Sequence, residues 1–462
     1  MKVLLSHGYF LSEDEKERQI MRPYPPLGIL YLSAYLERYE VDNEVFDTTF
    51  ATLSELQNYL LTYQPDVVAL YVNLMTKVNI LKIVRFVKEQ GSLSKTKIIL
   101  GGPEVKNHAE NFLKFGADYL VIGEGEETFY ALIEYLSQKG ELKLEEIAGI
   151  AYLDEAKATI FTPERTKIKN IDDFVPNRKK INLHLYLQAW KQHHGENAIS
   201  VSTMRGCPYT CKWCSRAVYG LSYRRRSAKK VVEELQEIQT TYAPDTLWFV
   251  DDVFTISHKW LREFADELKA NNLKVKYECI TRADRMNEEV IQLLKETGCF
   301  RVWIGAESGS QKVIDLMDRR VDVNQVREMI QLSQKMGIQA GTFIMLGYPQ
   351  ETEEDIMETV HHLKVSNPDY FTITVAYPIK GTELYTEIEP TKVHSLPWEN
   401  SSDRDTDFQR TYSRKYYDFA VRYVVNEVNL HKKKLKQEDF TMSAMKLKIN
   451  SLAARIGMTL YK

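Results

Sequence analysis

Three of the chain's five cysteines, Cys207, Cys211 and Cys214, fall within eight residues, in the stretch Ser202-Thr203-Met204-Arg205-Gly206-Cys207-Pro208-Tyr209-Thr210-Cys211-Lys212-Trp213-Cys214. Thiolates are the usual ligands of iron–sulfur clusters. Three of them on one short loop can hold three irons of a cubane and leave the fourth open to a substrate. An electron-transfer ferredoxin normally supplies a fourth cysteine. The bland alternative, a structural zinc ion, would want a fourth Cys or His at suitable spacing. Cys279, inside a strand candidate, and Cys299, beside a strand start, read as packed thiols. An odd cysteine total without a secretion signal argues against a disulfide framework.

The loop needs a scaffold, and the surrounding periodicity supplies one. From Ala198 onward, strand candidates at Ile199–Thr203, Leu247–Val250, Val275–Thr281, Val302–Gly305, Gln339–Met345 and Phe371–Val375 alternate with helical segments. Six parallel β/α units predict a partial (β/α)6, TIM-like barrel with its site at the carboxyl ends of the strands. The cysteine loop follows the first of these strands, which puts it at the mouth. Upstream, strand candidates Val3–Ser6, Glu44–Asp47, Val67–Val72, Ile98–Leu100 and Tyr119–Ile122 alternate with helices, predicting a Rossmann-like open parallel sheet in an α/β chain. Gly101-Gly102-Pro103 and Gly123-Glu124-Gly125-Glu126 follow strands of that sheet, on the edge where such sheets bind ligands. The expected domains are 1–140, a Rossmann-like unit; 141–195, a connector with a hairpin around Asp154-Glu155-Ala156-Lys157; 196–390, the barrel; and 391–462, mainly helical.

At 462 residues, 44% hydrophobic and 27% charged, the chain has ordinary globular composition and room for two or three domains. Sixty-one basic residues against sixty-four acidic ones, a formal charge of −3, leave no electrostatic footprint for nucleic acid. The start, Met1-Lys2-Val3-Leu4-Leu5-Ser6-His7, lacks a signal-peptide core, and no apolar run approaches the roughly 20 residues that span a bilayer. A soluble, cytoplasmic enzyme is the expectation. Lys432-Lys433-Lys434 reads as a solvated helix end. Tyr416, Phe419 and Tyr423 mark an apolar helix face, read as core packing, with a hydrophobic substrate or a membrane surface as the other reading. Tyr186 and Trp190, in the connector, are candidates to close over the site.

The spacing C-x-x-x-C-x-x-C, with an aromatic before the last cysteine and a β/α barrel around it, resembles the radical SAM superfamily. The likeness runs from about Ala198 to Ala376. It implies that the methionyl amine and carboxylate of S-adenosylmethionine chelate the open iron of a [4Fe–4S] cluster, and that one electron then yields a 5′-deoxyadenosyl radical. It places Trp213 near the adenine. Phe249-Val250-Asp251-Asp252-Val253-Phe254 stands where the family contacts the methionyl amine, but departs from the commoner Gly-Gly-Glu; Asp251 or Asp252 takes that role, or the pair serves as a cap. Arg282 ends the third strand. Glu307, in Trp303-Ile304-Gly305-Ala306-Glu307-Ser308-Gly309-Ser310, resembles the residue holding the ribose or methionyl group. Met317-Asp318-Arg319-Arg320 offers a guanidinium for a carboxylate, Arg320 being the candidate, or a surface charge. Gly341 to Pro349 resembles the fifth-strand segment.

The N-terminal part resembles the cobalamin-binding domain that precedes many radical SAM cores, on Pro25-Pro26-Leu27-Gly28-Ile29-Leu30-Tyr31-Leu32, on Gly101-Gly102-Pro103-Glu104, and on Gly123-Glu124-Gly125-Glu126-Glu127-Thr128-Phe129. Gly101, Gly102, Gly123 and Gly125 would let the backbone approach a large ring or its tail. The Asp-x-His-x-x-Gly motif that supplies a lower cobalt ligand elsewhere is absent, and His7 and His108 stand outside such a context. The resemblance implies cobalamin-dependent methyl transfer to an unactivated carbon of a small-molecule or lipid-like substrate, with an external electron donor such as flavodoxin or ferredoxin. A cobalamin-associated cyclase or rearrangement enzyme is the alternative, and a non-catalytic corinoid or redox module a third reading. A methylthiotransferase would need three further cysteines in the N-terminal domain, which has none.

Overall fold

The computed structural model describes residues 1–138, 142–394 and 396–462; the domain boundary expected at 140/141 lies outside the described residues. The first sheet contains β1 (Val3–His7), β2 (Asn43–Phe46), β3 (Val67–Tyr71), β4 (Lys97–Gly101), β5 (Tyr119–Val121), β6 (Ile150–Leu153) and β7 (Thr159–Phe161), in the order β2-β1-β3-β4-β5-β6-β7. The first five pair in parallel, as their near-continuous apolar runs require when both faces are covered. Helices Leu27–Arg38 and Glu126–Leu136 cover one face, and Leu53–Tyr63, Lys77–Glu89 and Ala109–Phe115 the other. The strand order reverses at β1, and the crevice beyond that point is where such sheets take ligands. The hairpin β6–β7 adds antiparallel to β5, so this part of the expected connector continues the first sheet.

The second sheet contains β8 (Ala198–Val201), β11 (Thr246–Phe249), β12 (Tyr277–Thr281), β13 (Cys299–Glu307), β14 (Gln339–Leu346) and β15 (Tyr370–Val375), all parallel and in sequential order. Pairing stops at β8 and β15, so the barrel is open on one side. Its helices start on side-chain caps: Ser227, Ser257, Asn287 and Asp322 each accept a backbone N–H of the first turn. Between β8 and the first barrel helix lies a ribbon too short for periodicity to reveal, β9 (Met204–Arg205) with β10 (Arg224–Arg225).

The helix Arg414–Leu435 packs on the barrel through Tyr416, Tyr417, Ala420, Val424 and Val428, and Tyr416 is fully buried. Phe419 and Tyr423 pack against the same core, the packing reading of that face. Tyr186 and Trp190 do not cover the barrel mouth. The Tyr186 hydroxyl bonds to Asp47 and Thr49, and Trp190 Nε1 donates to the Pro23 carbonyl, so both clamp the helix Leu183–His194 to loops around the N-terminal sheet. Among the described residues no helix is long and apolar enough to cross a membrane.

One carboxylate in the barrel is held at a cost. Glu351, fully buried behind β14, accepts the Gly347 N–H on Oε2 at 2.5 Å and has no partner on Oε1 among the described residues. Burial pushes its pKa from 4.5 up to about 8. The native state therefore binds this proton more tightly than the unfolded state, and stability falls as pH rises from 4.5 to about 8. Glu351→Gln should remove that slope, raising stability by about 2–4 kcal/mol at alkaline pH and leaving it unchanged near pH 4; chemical denaturation across pH measures it.

Candidate active site

The cysteine loop is pinned from several sides. Gly206 has φ +83°, and a Cβ there would strike the Ser222 carbonyl at 2.6 Å, so only glycine lets the chain turn from β9 into Cys207. Lys212 N–H donates to the Met317 carbonyl and its own carbonyl accepts from Leu384 N–H, while Thr210 Oγ1 donates to Asp318. Two guanidiniums approach Cys211: Arg282 Nη1 lies 3.7 Å and Arg319 Nη1 4.0 Å from its sulfur. Arg282 also stacks 3.8 Å from the centre of the Tyr209 ring. Such cations stabilise thiolates and a cluster of net negative charge. Burial pushes the Cys207 thiol up, and the Cys214 thiol up to about 12. Cys279 and Cys299 are buried in β12 and β13, away from this loop, as packed thiols should be.

Among the described residues, the group of His, Cys and acidic ligands that converges within 4.8 Å is Glu104, His108 and Asp403, not the three thiols. The three cysteine sulfurs do not all lie within that distance of one another.

The aspartate pair is divided by its surroundings. Asp251 is buried and accepts from Thr203 N–H at 2.7 Å, Met204 N–H at 3.2 Å and the Thr203 hydroxyl, with Arg225 3.3 Å away. Its oxygens are consumed in holding the strand that leads to Cys207. Asp252 is exposed and, with Asp251, lines the cavity that Cys207 and Cys214 also line; partial desolvation there and then Asp251 raise its carboxyl. Glu307 closes β13 with φ +66°, a conformation that strains a residue with a side chain, and sits 3.5 Å from Arg319. The adjacent arginines part company. Arg319 is buried, donates to the Gly305 carbonyl at 2.6 Å and lies 5.7 Å from the Trp213 ring. Arg320 is 72% exposed and turned to Asp318. The structure therefore brings Arg282 and Arg319 to Cys211, sets Glu307 and Trp213 against Arg319, and leaves Arg320 exposed.

A cavity of about 530 Å³ runs from the cysteine loop to the carboxyl edge of the first sheet. All four predicted glycines line it, for two different reasons. Gly102 (φ +113°) and Gly123 (φ +83°) need the left-handed backbone, and a Cβ on Gly102 would strike the Val72 carbonyl. Gly101 and Gly125 have ordinary φ and ordinary contact distances for a Cβ, 3.7–3.9 Å, so their missing side chains keep the cavity open. Tyr31, Tyr71, Phe129 and Tyr219 make much of the remaining wall apolar, and among the described residues no histidine lines it. A flat, largely apolar ring without a histidine ligand from this chain fits such a chamber. His7 is tied to Asp47 at 3.0 Å. His108 accepts Trp398 Nε1–H on Nδ1, which leaves the neutral ring's proton on Nε2, facing Glu104 at 3.9 Å and Asp403 at 3.7 Å. That cluster fastens the first sheet to the segment after the barrel, and burial with Asp403 nearby raises Glu104 to about 7.

The residues that sequence reasoning passed over are the charges joining the two sheets. Arg205, two positions before Cys207, pairs through Nη1 with Glu124 at 3.2 Å and through Nη2 with Glu126, and Arg224 reaches Glu124 at 2.5 Å. The Arg205, Glu124 and Glu126 side chains are each less than 10% exposed. The segment Gly123 to Glu126 was read for its glycines, and no local signal announces a partner some eighty residues away. Arg205→Gln would strand the Glu126 carboxylate in the seam and leave Glu124 to Arg224 alone, a loss of about 3–5 kcal/mol. We expect a lowered melting temperature together with weaker cluster retention, read by iron content and absorbance after anaerobic reconstitution.

Two family models match the chain: the radical SAM superfamily over residues 201–363 and the B12 binding domain over residues 20–133. An uncharacterized methyltransferase of Pyrococcus horikoshii is 29% identical over 81% of this chain and 80% of its own length. An anaerobic magnesium-protoporphyrin IX monomethyl ester cyclase of Rubrivivax gelatinosus is 26% identical over 84% of this chain and 70% of its own. The fold is that of a solved cobalamin-dependent S-adenosylmethionine radical enzyme, OxsB, with TM-score 0.75, 18% identity, and 98% of this chain and 72% of that one covered. With the cysteine loop at a barrel mouth and a glycine-edged sheet opening into the same cavity, the chain belongs to the radical SAM enzymes with a B12-binding domain, whose cofactors are a [4Fe–4S] cluster, S-adenosylmethionine and cobalamin.

Proposed function

We propose that this enzyme transfers a methyl group to an unactivated carbon of a small-molecule or lipid-like substrate. The observation that carries the proposal is the single cavity shared by Cys207, Cys214 and Asp252 on one wall and Gly101, Gly102, Gly123 and Gly125 on the other, so that groups held by both domains face one chamber. When bound, the reduced cluster supplies the electron that cleaves S-adenosylmethionine to a 5′-deoxyadenosyl radical, and cobalamin carries the methyl group. In this reading Cys207, Cys211 and Cys214 hold three irons. Asp252, with its oxygens free toward the cavity, receives the methionyl ammonium, while Asp251 buttresses the loop. Glu307 and Arg319 orient the ribose or methionyl part, and Trp213 flanks the adenine. The apolar walls exclude water from a reactive radical. An external one-electron donor completes the cycle. The methyltransferase name of the Pyrococcus relative supports methyl transfer.

A radical cyclisation without methyl transfer is the second reading, favoured by the relative named as a cyclase. Product mass separates the two, because methyl transfer adds one CH₂ to the substrate and cyclisation does not. Under reduction, reconstituted enzyme should release 5′-deoxyadenosine, and Cys211→Ala should release none above background; continued release would sink the cluster assignment. Asp252→Asn should weaken S-adenosylmethionine binding by roughly 10- to 100-fold, the value of one hydrogen bond to a charged group, with the cluster's iron content unchanged. Asp251→Asn, by contrast, should lose the cluster.

A further inference from the structure

The last helix, Met442–Leu460, has two apolar faces. One carries Ala444, Ala454, Gly457 and Met458 and is buried, with Gly457 in close contact with the Phe419 ring of the preceding helix. The opposite face carries Met442, Met445, Ile449, Leu452, Ile456 and Leu460, exposed by 81, 53, 66, 65, 52 and 74%. Alternate spacings of three and four residues set the first five of these on one stripe, which Leu460 continues. Phe440, 91% exposed, and Leu435, 57% exposed, lie in and before the turn that leads into it. A helix that only faces water carries polar residues there, and an apolar face of this length marks an interaction surface.

The charges around the stripe say what kind. Residues 431–462 hold eight Lys or Arg and two Asp or Glu, in a chain whose formal charge is −3. The helix itself has no acidic residue. Lys433, Arg455 and Lys462 are paired, with Glu438, Glu353 and Glu353. Lys434, Lys436, Lys446 and Lys448 are exposed and have no ion-pair partner among the described residues. By helical position, Lys446 borders one side of the stripe and Lys448 the other. We propose that this face docks the enzyme on an anionic bilayer surface, with the stripe at the acyl boundary and the flanking lysines among anionic headgroups. An apolar face edged by lysines is the composition of a helix that lies in that interface. Two copies pressed stripe to stripe would instead bring the same unpaired lysines together, and like charges oppose that pairing. The inference rests on the helix alone, independent of the chemistry at the barrel mouth. It would hold the enzyme where apolar molecules partition.

The test is flotation of the full-length, reconstituted protein with vesicles of phosphatidylcholine alone and of phosphatidylcholine with phosphatidylglycerol. Binding should favour the anionic vesicles and fall about tenfold between low salt and about 0.5 M salt, where screening reaches only a few ångströms. Ile449→Ser/Leu452→Ser should cut binding about tenfold or more. Lys446→Gln/Lys448→Gln should cut it severalfold on anionic vesicles only. Both double variants should keep the wild-type melting temperature and reductive cleavage of S-adenosylmethionine in solution. Should the apolar double variant melt early, the lysine variant, whose changed side chains meet only solvent, carries the test. Absence of binding to anionic vesicles would overturn the proposal, as would equal, salt-insensitive binding to neutral ones. A concentration-dependent dimer in sedimentation velocity, dissolved by Ile449→Ser/Leu452→Ser, would overturn it in favour of a second copy of the chain.

Discussion

The seam between the two sheets depends on a buried charge network, Arg205 and Arg224 against Glu124 and Glu126. Taking four charges out of water is costly, and it is offset only while each keeps its partner in good geometry. The Arg205 guanidinium also lies against the Phe174 and Tyr31 rings, 4.6 and 5.5 Å from their centres, so aromatic faces fill what the carboxylates leave. Because Arg205 belongs to β9 and its carboxylates to the glycine loop after β5 and the first residue of the helix that follows, the network ties the cysteine loop to the edge of the first sheet. The shared cavity keeps its depth in part because these charges hold together.

Within the barrel the same economy recurs, with most polar groups near the loop serving to place others. Asp251 gives its oxygens to Thr203, Met204 and Arg225, and Arg319 gives its donors to Gly305. Asp252 and the Cys207 and Cys214 thiols are among the polar groups that line the cavity. Strained glutamate backbone at Glu307, where the register of β13 against β14 slips, marks the point where the regular barrel gives way to the site.

Much of the architecture was legible in the chain. Both sheets' parallel strands fell where continuous apolar runs predicted them, because strands covered on two faces must be apolar throughout. The ribbon β9–β10 was not legible, since two residues carry no period. The glycines after β4 and β5 look like one set in the sequence, yet Gly102 and Gly123 answer to backbone angles while Gly101 and Gly125 answer to cavity space. Tyr186 and Trp190 looked available to a site; their polar ends instead find partners in loops around the N-terminal sheet, which no local pattern announces.

By itself, the sequence determined the chemistry at hand: three thiols at fixed spacing after a strand, and a strand–helix alternation that predicts parallel pairing. These are local properties, set by residue type and period. Tertiary structure decided which neighbours do what. Asp251 and Asp252, and Arg319 and Arg320, are adjacent in the chain and alike in type, and only the contacts around them separate support from opening, and site from surface. The same holds for the last helix, whose two apolar faces read alike until one is packed and the other is left bare. Burial and partnership are relations between distant segments, and a one-dimensional pattern does not contain them.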